Sequence, residues 1–493
     1  MSKLVLEAIR RGHRVNASAQ KFIENLAKST SNTSGETTSL VASVPILPPP
    51  ASVSKALSES CNDAESEICY YGSRSSFGAE KLQNATMQYY KKSGFKVDGS
   101  RPIFTHSEHD LVLILAKKLA RDNRSAIMTV PTFGLFFGAL VREGVNVNLA
   151  KLSQDSDWKL TPEILRNALS AEENSNSGMF FFINPDNPTG KSYSKQEIEG
   201  IAQEFLGYND WRKSKGKDLM MVFSDEASRR IMLNSNKDFF SLGAVQGMEE
   251  FTFTSSTSSK DLAPGIAISH AVGPKEIIEE LLSPYDGKIL PDMLTADRYG
   301  PSYPSQYLLT EIFNGTYQKD FDDHLEESVK IYIKNLESIT NFVDEINSKL
   351  EKKFGESANK EKFLELVTKP DGGLQCLIQA KGLLGMNFPQ NYQHKLNFSQ
   401  RKIEGGIDLA EYLQETAGVK ILTGEYCGFD KEEMMFRVTI SKEPKILEKA
   451  FNQILNSLER LDSGLENCVS SGVVSNSQAV QVGSNQKGEA SRS

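Results

Sequence analysis

Between about Ile103 and Val272 the chain alternates short apolar runs with longer amphipathic stretches. SAIMTV, GMFFFIN, LMMVFSDEA and EEFTFTS have the length and the β-branched or aromatic content of buried strands. DLVLILAKKLA and SKQEIEGIAQEFL, which fall between them, read as helices with one buried face. Strand–helix alternation at this spacing predicts an α/β fold, a three-layer sandwich around a mostly parallel sheet.

The flanks read differently. Residues 1–30 suggest a helix with a polar face, TSNTSGETT a loop, and SLVASV a short strand. PILPPPASVSKAL is a proline-rich turn that opens a helix. FDDHLEESVKIYIKNLESITNFVDEINSKLEKKF predicts a long amphipathic helix between lobes. GGLQCLIQA, VKILTG and MMFRVTIS then return to strand, and ILEKAFNQILNSLERL to helix. The last stretch, SGVVSNSQAVQVGSNQKGEASRS, has little to bury and reads as a disordered tail. The expected domains are an N-terminal arm with part of a small domain (1–75), a large domain (76–325), a C-terminal small domain (326–462) and the tail (463–493). The smaller α/β domain would thus draw on both the N- and C-terminal segments.

Composition narrows the function. The chain has 493 residues, 39% hydrophobic and 24% charged, enough to bury a large core. A net charge of −8 argues against a broad nucleic-acid or anionic-membrane surface. Five cysteines without a CxxC pair suit a reducing compartment, and a cytoplasmic location is expected. The basic, amphipathic start, MSKLVLEAIRRGHRVNASAQKF, suits either a surface helix or a transit peptide.

Three stretches could carry chemistry. INPDNPTG follows an apolar run, and its two Asn-Pro steps force the strand to end in a turn. Loops at the carboxyl ends of strands line the ligand crevice of open α/β sheets. A plain turn explains an isolated motif equally well. Asp225 and Glu226 end a second apolar run, where an acid is a helix cap, a metal ligand or a partner for a cation. Lys260 lies between a hydroxyl-rich run, FTFTSSTSS, and Leu-Ala-Pro-Gly. In a desolvated pocket its amine would be partly neutral and could form a Schiff base; in water it would be an ordinary surface lysine. HSEHD offers His106, Glu108, His109 and Asp110 to a metal, but a Ser107-x-x-Asp110 helix cap explains it more simply, and no metal is expected.

Taken in order, Asn-Pro-x-Asn-Pro-Thr-Gly, Asp-Glu-Ala and Ser-Lys-x-Leu-Ala-Pro-Gly resemble the pyridoxal-phosphate-dependent aminotransferases of fold type I, classes I and II. The likeness extends over roughly residues 14–460. It implies pyridoxal 5'-phosphate as cofactor, with Lys260 as the catalytic Schiff-base lysine and Asp225 as the partner of the pyridine nitrogen. It implies that Asn187 binds the ring's 3-oxygen, that Phe133 stacks on the ring, and that Ser107, Glu108, Thr257 and Ser259 surround the phosphate. Arg437 matches the arginine that grips the substrate α-carboxylate, with Ser43 beside it. Tyr71 matches, loosely, a tyrosine lent to the neighbouring subunit. The implied partners are an α-amino acid and a 2-oxo acid, and the implied assembly is a homodimer.

The chain departs from the family pattern around this site. The arginine that clamps the cofactor phosphate is replaced by Ala267, at a cost of roughly 1.5–3 kcal/mol unless Arg229, Arg230 or His270 reaches in. A tyrosine expected three residues after the aspartate is Ser228, and glycines of the phosphate cup and the substrate loop appear as Ser107 and Ser43. Glu108 adds a carboxyl to the cup. These changes keep open a different reaction on the same cofactor (a lyase, cyclase, decarboxylase or oxidase) or an impaired homologue with a binding role.

Overall fold

The computed structural model describes residues 37–62, 77–236, 238–282, 300–355, 360–393 and 402–462. The expected N-terminal helix, Tyr71 and the expected disordered tail lie outside them.

The short strand β1 (Thr38–Ser39) precedes a seven-stranded sheet built from β2 (Ser100–Thr105), β3 (Ser125–Val130), β4 (Val147–Lys151), β5 (Ser177–Ile183), β6 (Met221–Asp225), β7 (Thr252–Thr257) and β8 (Ser269–Pro274). Their order is β2-β8-β7-β6-β5-β3-β4. β4, β3, β5, β6 and β7 run parallel, and β8 runs antiparallel to both its neighbours. Every residue of β3, β5, β6 and β7 is buried, as strands covered on both faces require. The expected α/β architecture is therefore present. The chain winds outward from β3 to β4 and then returns to β5 on the other side of β3. That reversal opens a crevice at the carboxyl ends of β3, β5 and β6.

A second core forms beside it. β9 (Glu365–Leu366), β10 (Gln375–Gln379), β12 (Leu422–Thr423) and β13 (Met435–Thr439) make an antiparallel sheet in the order β12-β13-β10-β9, and β11 (Val419–Lys420) pairs in parallel with β1. The run VKILTG thus serves two sheets, changing from one to the other at Ile421. The helix Gln318–Phe354 crosses the expected domain boundary at 325/326. Its buried residues include Phe321, Tyr332, Leu336, Ile339, Val343, Ile346 and Leu350, a stripe at helical spacing. Asn335 on that stripe donates to the carbonyls of Ile440 and Lys442 at 2.8 and 2.7 Å, which joins the helix to the end of β13.

SLVASV does not form the strand its pattern suggests; pairing with β11 ends at the Leu40 N–H, which donates to Lys420 O at 2.8 Å. The carbonyls that would continue a ladder have other donors. Leu40 O accepts from Thr439 N at 3.0 Å, Val41 O from Arg437, and Ser43 O from Lys260. The segment is pulled off the sheet to line the crevice.

The two cores meet at the Asn-Pro-Thr-Gly turn. Gly190 O accepts from the N–H groups of Asp371 and Gly372 at 2.8 and 3.0 Å. Gly190 has φ +70°, and a Cβ there would stand 2.4 Å from Pro370 Cβ. Gly190→Ala is therefore expected to destabilise the fold by about 2–4 kcal/mol, the sum of left-handed strain and a clash with the Pro370 ring, measured by denaturant unfolding.

Candidate active site

A cavity of about 450 Å³ opens at the crevice. Its lining brings together Lys260, Asp225, Asn187, Phe133, Ser107, Glu108, Thr257, Ser259, Arg437 and Ser43, every expected site residue among those described. They come from seven separate segments, and nothing short of the tertiary fold could have assembled them.

Lys260 sits on a single helical turn, Ser258–Asp261, between β7 and β8. Thr257 caps the turn by accepting from Ser259 N at 3.2 Å, and Ser258 holds Ile268 O through both its N–H (3.1 Å) and its hydroxyl (3.0 Å). The amine points inward and donates to Ser43 O at 2.8 Å. Burial, then the charge of Arg437, lowers its pKa, while Glu108 and Asp225 oppose the shift. The lysine is thus half-buried with a lowered pKa, the direction that Schiff-base chemistry requires.

Asp225 ends β6, and one carboxylate oxygen accepts from Ala227 N at 2.9 Å. It does not cap a helix. Burial raises its pKa, opposed by that N–H, by a hydrogen bond from Glu108 and by the Lys260 charge. Glu108 is shifted further, well above the usual carboxyl range, first by burial and then by the negative charge of Asp225. Ser107 caps the helix Glu108–Arg121 by accepting from Asp110 N at 3.1 Å, the cap expected from the sequence.

Arg437 on β13 is buried, with Nη1 donating to Asn187 Oδ1 at 2.8 Å and Nη2 to Val41 O at 2.6 Å. Its Nε has no hydrogen-bond partner, and neither has Ser43 Oγ. Two buried polar atoms thus lack partners in the wall expected to receive a substrate carboxylate. With its oxygen taken by Arg437, Asn187 presents its amide N–H group to any acceptor. Phe133 precedes the helix Gly134–Arg142 and meets Phe136 edge-on at 5.2 Å.

None of the three candidate substitutes for the lost phosphate arginine lines the cavity. Arg229 donates to Tyr89 Oη at 3.0 Å and faces Glu226 at 3.9 Å. Arg230 pairs with Asp261 and Asp322 at 3.5 and 3.0 Å. His270 shares a 3.0 Å hydrogen bond with Tyr90 Oη, and burial pushes its pKa down to about 3. They surround a separate cavity of about 140 Å³ behind the Lys260 turn. Ala267 itself follows the 3-10 turn Pro264–Ile266 with φ +50°. Sequence reasoning missed the carbonyls of Val41 and Ser43, the Ser255 hydroxyl on Glu108, and the cavity-lining Gln375 and Tyr426. A backbone carbonyl has no sequence signal, and Tyr426 follows a strand too short to mark its loop.

The sequence model of the family described as aminotransferase class I and II matches residues 47–454. The chain belongs to this family. Curated relatives include an aspartate aminotransferase of Bacillus sp. (strain YM-2), 26% identical over 40% of this chain and 43% of that protein. Another is kynurenine–oxoglutarate transaminase 3 of Bos taurus, 29% identical over 27% of this chain and 26% of that one. The chain thus matches less than half the length of either. Among solved structures, the aspartate aminotransferase from Rhizobium meliloti superposes with a TM-score of 0.68 at 18% identity, covering 92% of this chain and 98% of that one. The one from Thermus thermophilus gives 0.64 at 18% identity over 92% and 98%. These likenesses establish the fold.

The family's cofactor is pyridoxal 5'-phosphate, and the residues present fit it. A desolvated amine, a buried acid, an amide and an aromatic ring face one cavity, and Arg437 Nε and Ser43 Oγ lack partners there. At the helix start the fit needs Glu108 in its neutral form, because a carboxylate would repel a phosphate.

The turn that carries Asn187 depends on Asp186, whose Oδ2 accepts from Thr189 N at 3.1 Å and Thr189 Oγ1 at 2.6 Å. Burial pushes the Asp186 carboxyl up to about 7. The folded protein then holds a proton that the unfolded chain releases above about pH 4. This contribution is full below about pH 4 and is lost as pH rises through about 7. Asp186→Asn should therefore flatten the fall in thermal midpoint between these two pH values, relative to wild type. Equal slopes would mean that Asp186 is not the group responsible.

Proposed function

We propose that this family member is a pyridoxal-phosphate-dependent aminotransferase that moves an amino group between an α-amino acid and a 2-oxo acid. The observation that carries the reading is the position of the Lys260 amine, desolvated and in one cavity with Asp225, Asn187 and Arg437. When bound, the cofactor supplies an aldehyde for the amine and an electron-withdrawing ring. Asp225 would hold the ring nitrogen, Asn187 the ring oxygen, and Phe133 one face of the ring. The guanidinium of Arg437, anchored through both terminal nitrogens, would present Nε to the substrate carboxylate with Ser43 Oγ beside it. Lys260 Nζ, whose pKa burial lowers, would take the α-proton of the amino acid and return it. Within this proposal the protein is a cytoplasmic homodimer. Among the described residues, no helix is long and apolar enough to cross a membrane.

A different reaction on the same cofactor has one specific observation in its favour. Ser228, in place of a tyrosine, lines the cavity, and its short side chain leaves a contact to the ring oxygen unmade.

Two measurements test the proposal. Protein loaded with pyridoxal phosphate should show the visible absorption band of a lysine imine, and Lys260→Ala should lose both the band and turnover; a colourless loaded wild type would refute the reading. Arg437→Lys keeps the charge but loses the planar fork, so kcat/KM for an amino acid should fall on the order of 100-fold. Keto acid beyond one equivalent per site that forms only when an acceptor oxo acid is added marks transamination; sustained turnover of the amino acid without an acceptor marks the other reaction.

A further inference from the structure

Glu108 opens the helix Glu108–Arg121 and lines the cavity. Ser255 Oγ donates to Glu108 Oε1 at 2.7 Å, and Asp225, the strand neighbour of Ser255, lines the same cavity and acts on the Glu108 carboxyl through its charge. Asp225 and Ser255 are register partners on adjacent strands, so the helix acid is clamped from two strand ends at once. Two carboxyl groups bond to each other only with a proton between them. The charged groups that face Glu108 are Asp225 from β6 and Lys260 from the turn after β7; His109 lies beside it on the helix and lines the same cavity. Arg437 from β13 acts on the Lys260 amine. Arg229 and Arg230 are committed to Tyr89, Glu226, Asp261 and Asp322, and neither lines the cavity.

We propose that Glu108 is a proton-operated gate at the anion end of the cleft. With its proton it donates to Asp225 and leaves the helix start neutral. Without it, a second negative charge stands beside Asp225 and opposes the cofactor's phosphate. The acid that the family pattern lacks thus acts as a positioning residue: its proton opposes the rise that burial imposes on the Asp225 pKa and makes retention of the cofactor depend on pH. Burial and the Asp225 charge both favour the protonated state, so the gate opens toward low pH and closes as pH rises. The inference rests on the reading of the cleft as a pyridoxal phosphate site.

The test is equilibrium dialysis of full-length, cofactor-stripped protein against pyridoxamine 5'-phosphate. This probe has no aldehyde, so condensation with Lys260 does not enter the measurement. In wild type the affinity should fall at least about tenfold between about pH 6 and pH 9. Glu108→Gln, which has nothing to ionise there but still donates to Asp225, should fall less than about threefold over the same range. Ser255→Ala should move the wild-type fall to higher pH, because the lost hydroxyl no longer favours the carboxylate. Parallel curves for wild type and Glu108→Gln overturn the gate and leave the cofactor site standing. Absence of binding by every variant at every pH overturns both.

Discussion

The site depends on one buried guanidinium. Arg437 reaches from β13 to Asn187 in the turn after β5 and to the carbonyl of Val41 near the N-terminal end of the described chain. Three segments far apart in sequence are thereby fixed around one charge. A buried charge is costly unless it is hydrogen-bonded, so the arginine holds these segments to itself as firmly as they hold it. Its Nε is buried without a partner, while the residue lines the cavity. The same side chain therefore closes the seam between the two cores and presents a donor to whatever binds there.

Around this seam the backbone is diverted from regular structure to the site. The residues after Ser39 leave the sheet so that their carbonyls can receive Arg437 and Lys260. Gly190 takes a left-handed conformation so that its carbonyl can receive two N–H groups from the other core. Lys260 sits on one helical turn because β7 must reverse into the antiparallel β8, and the turn is pinned at Ile268 O. Each departure from regular pairing supplies a contact the cavity requires.

The electrostatics of the cleft are set by burial more than by any single pair. Burial lowers the Lys260 pKa and raises those of Asp225, Glu108 and Asp186, which moves all four toward their neutral forms. The arginines expected as substitutes for the missing phosphate clamp lie elsewhere. Arg229 and Arg230 serve a second, smaller cavity behind the Lys260 turn. A chain that keeps the lysine and the aspartate but places an acid at the helix start manages charge at its anion end by proton occupancy rather than by a fixed cation.

The sequence by itself determined the strands and helices with strong periodicity. SAIMTV became β3 residue for residue, and the runs ending at Ile183 and Asp225 became β5 and β6, because fully buried strands leave an unbroken apolar signal. It also named the residues at the strand ends, since Asn-Pro-Thr-Gly and Asp-Glu mark where apolar runs must stop. Three outcomes were decided only by the tertiary structure. SLVASV carries the apolar run of a short strand, but competing donors from β13 and from the Lys260 turn claimed its carbonyls. Arg229, Arg230 and His270 sit at suitable distances along the chain for a phosphate clamp, but each found a nearer partner in the fold. Glu108 reads as one more acid at a helix start until β6 and β7 place Asp225 and Ser255 against it. Local pattern encodes where the chain buries apolar surface; which buried polar group meets which is settled by competition among segments that are neighbours only after folding.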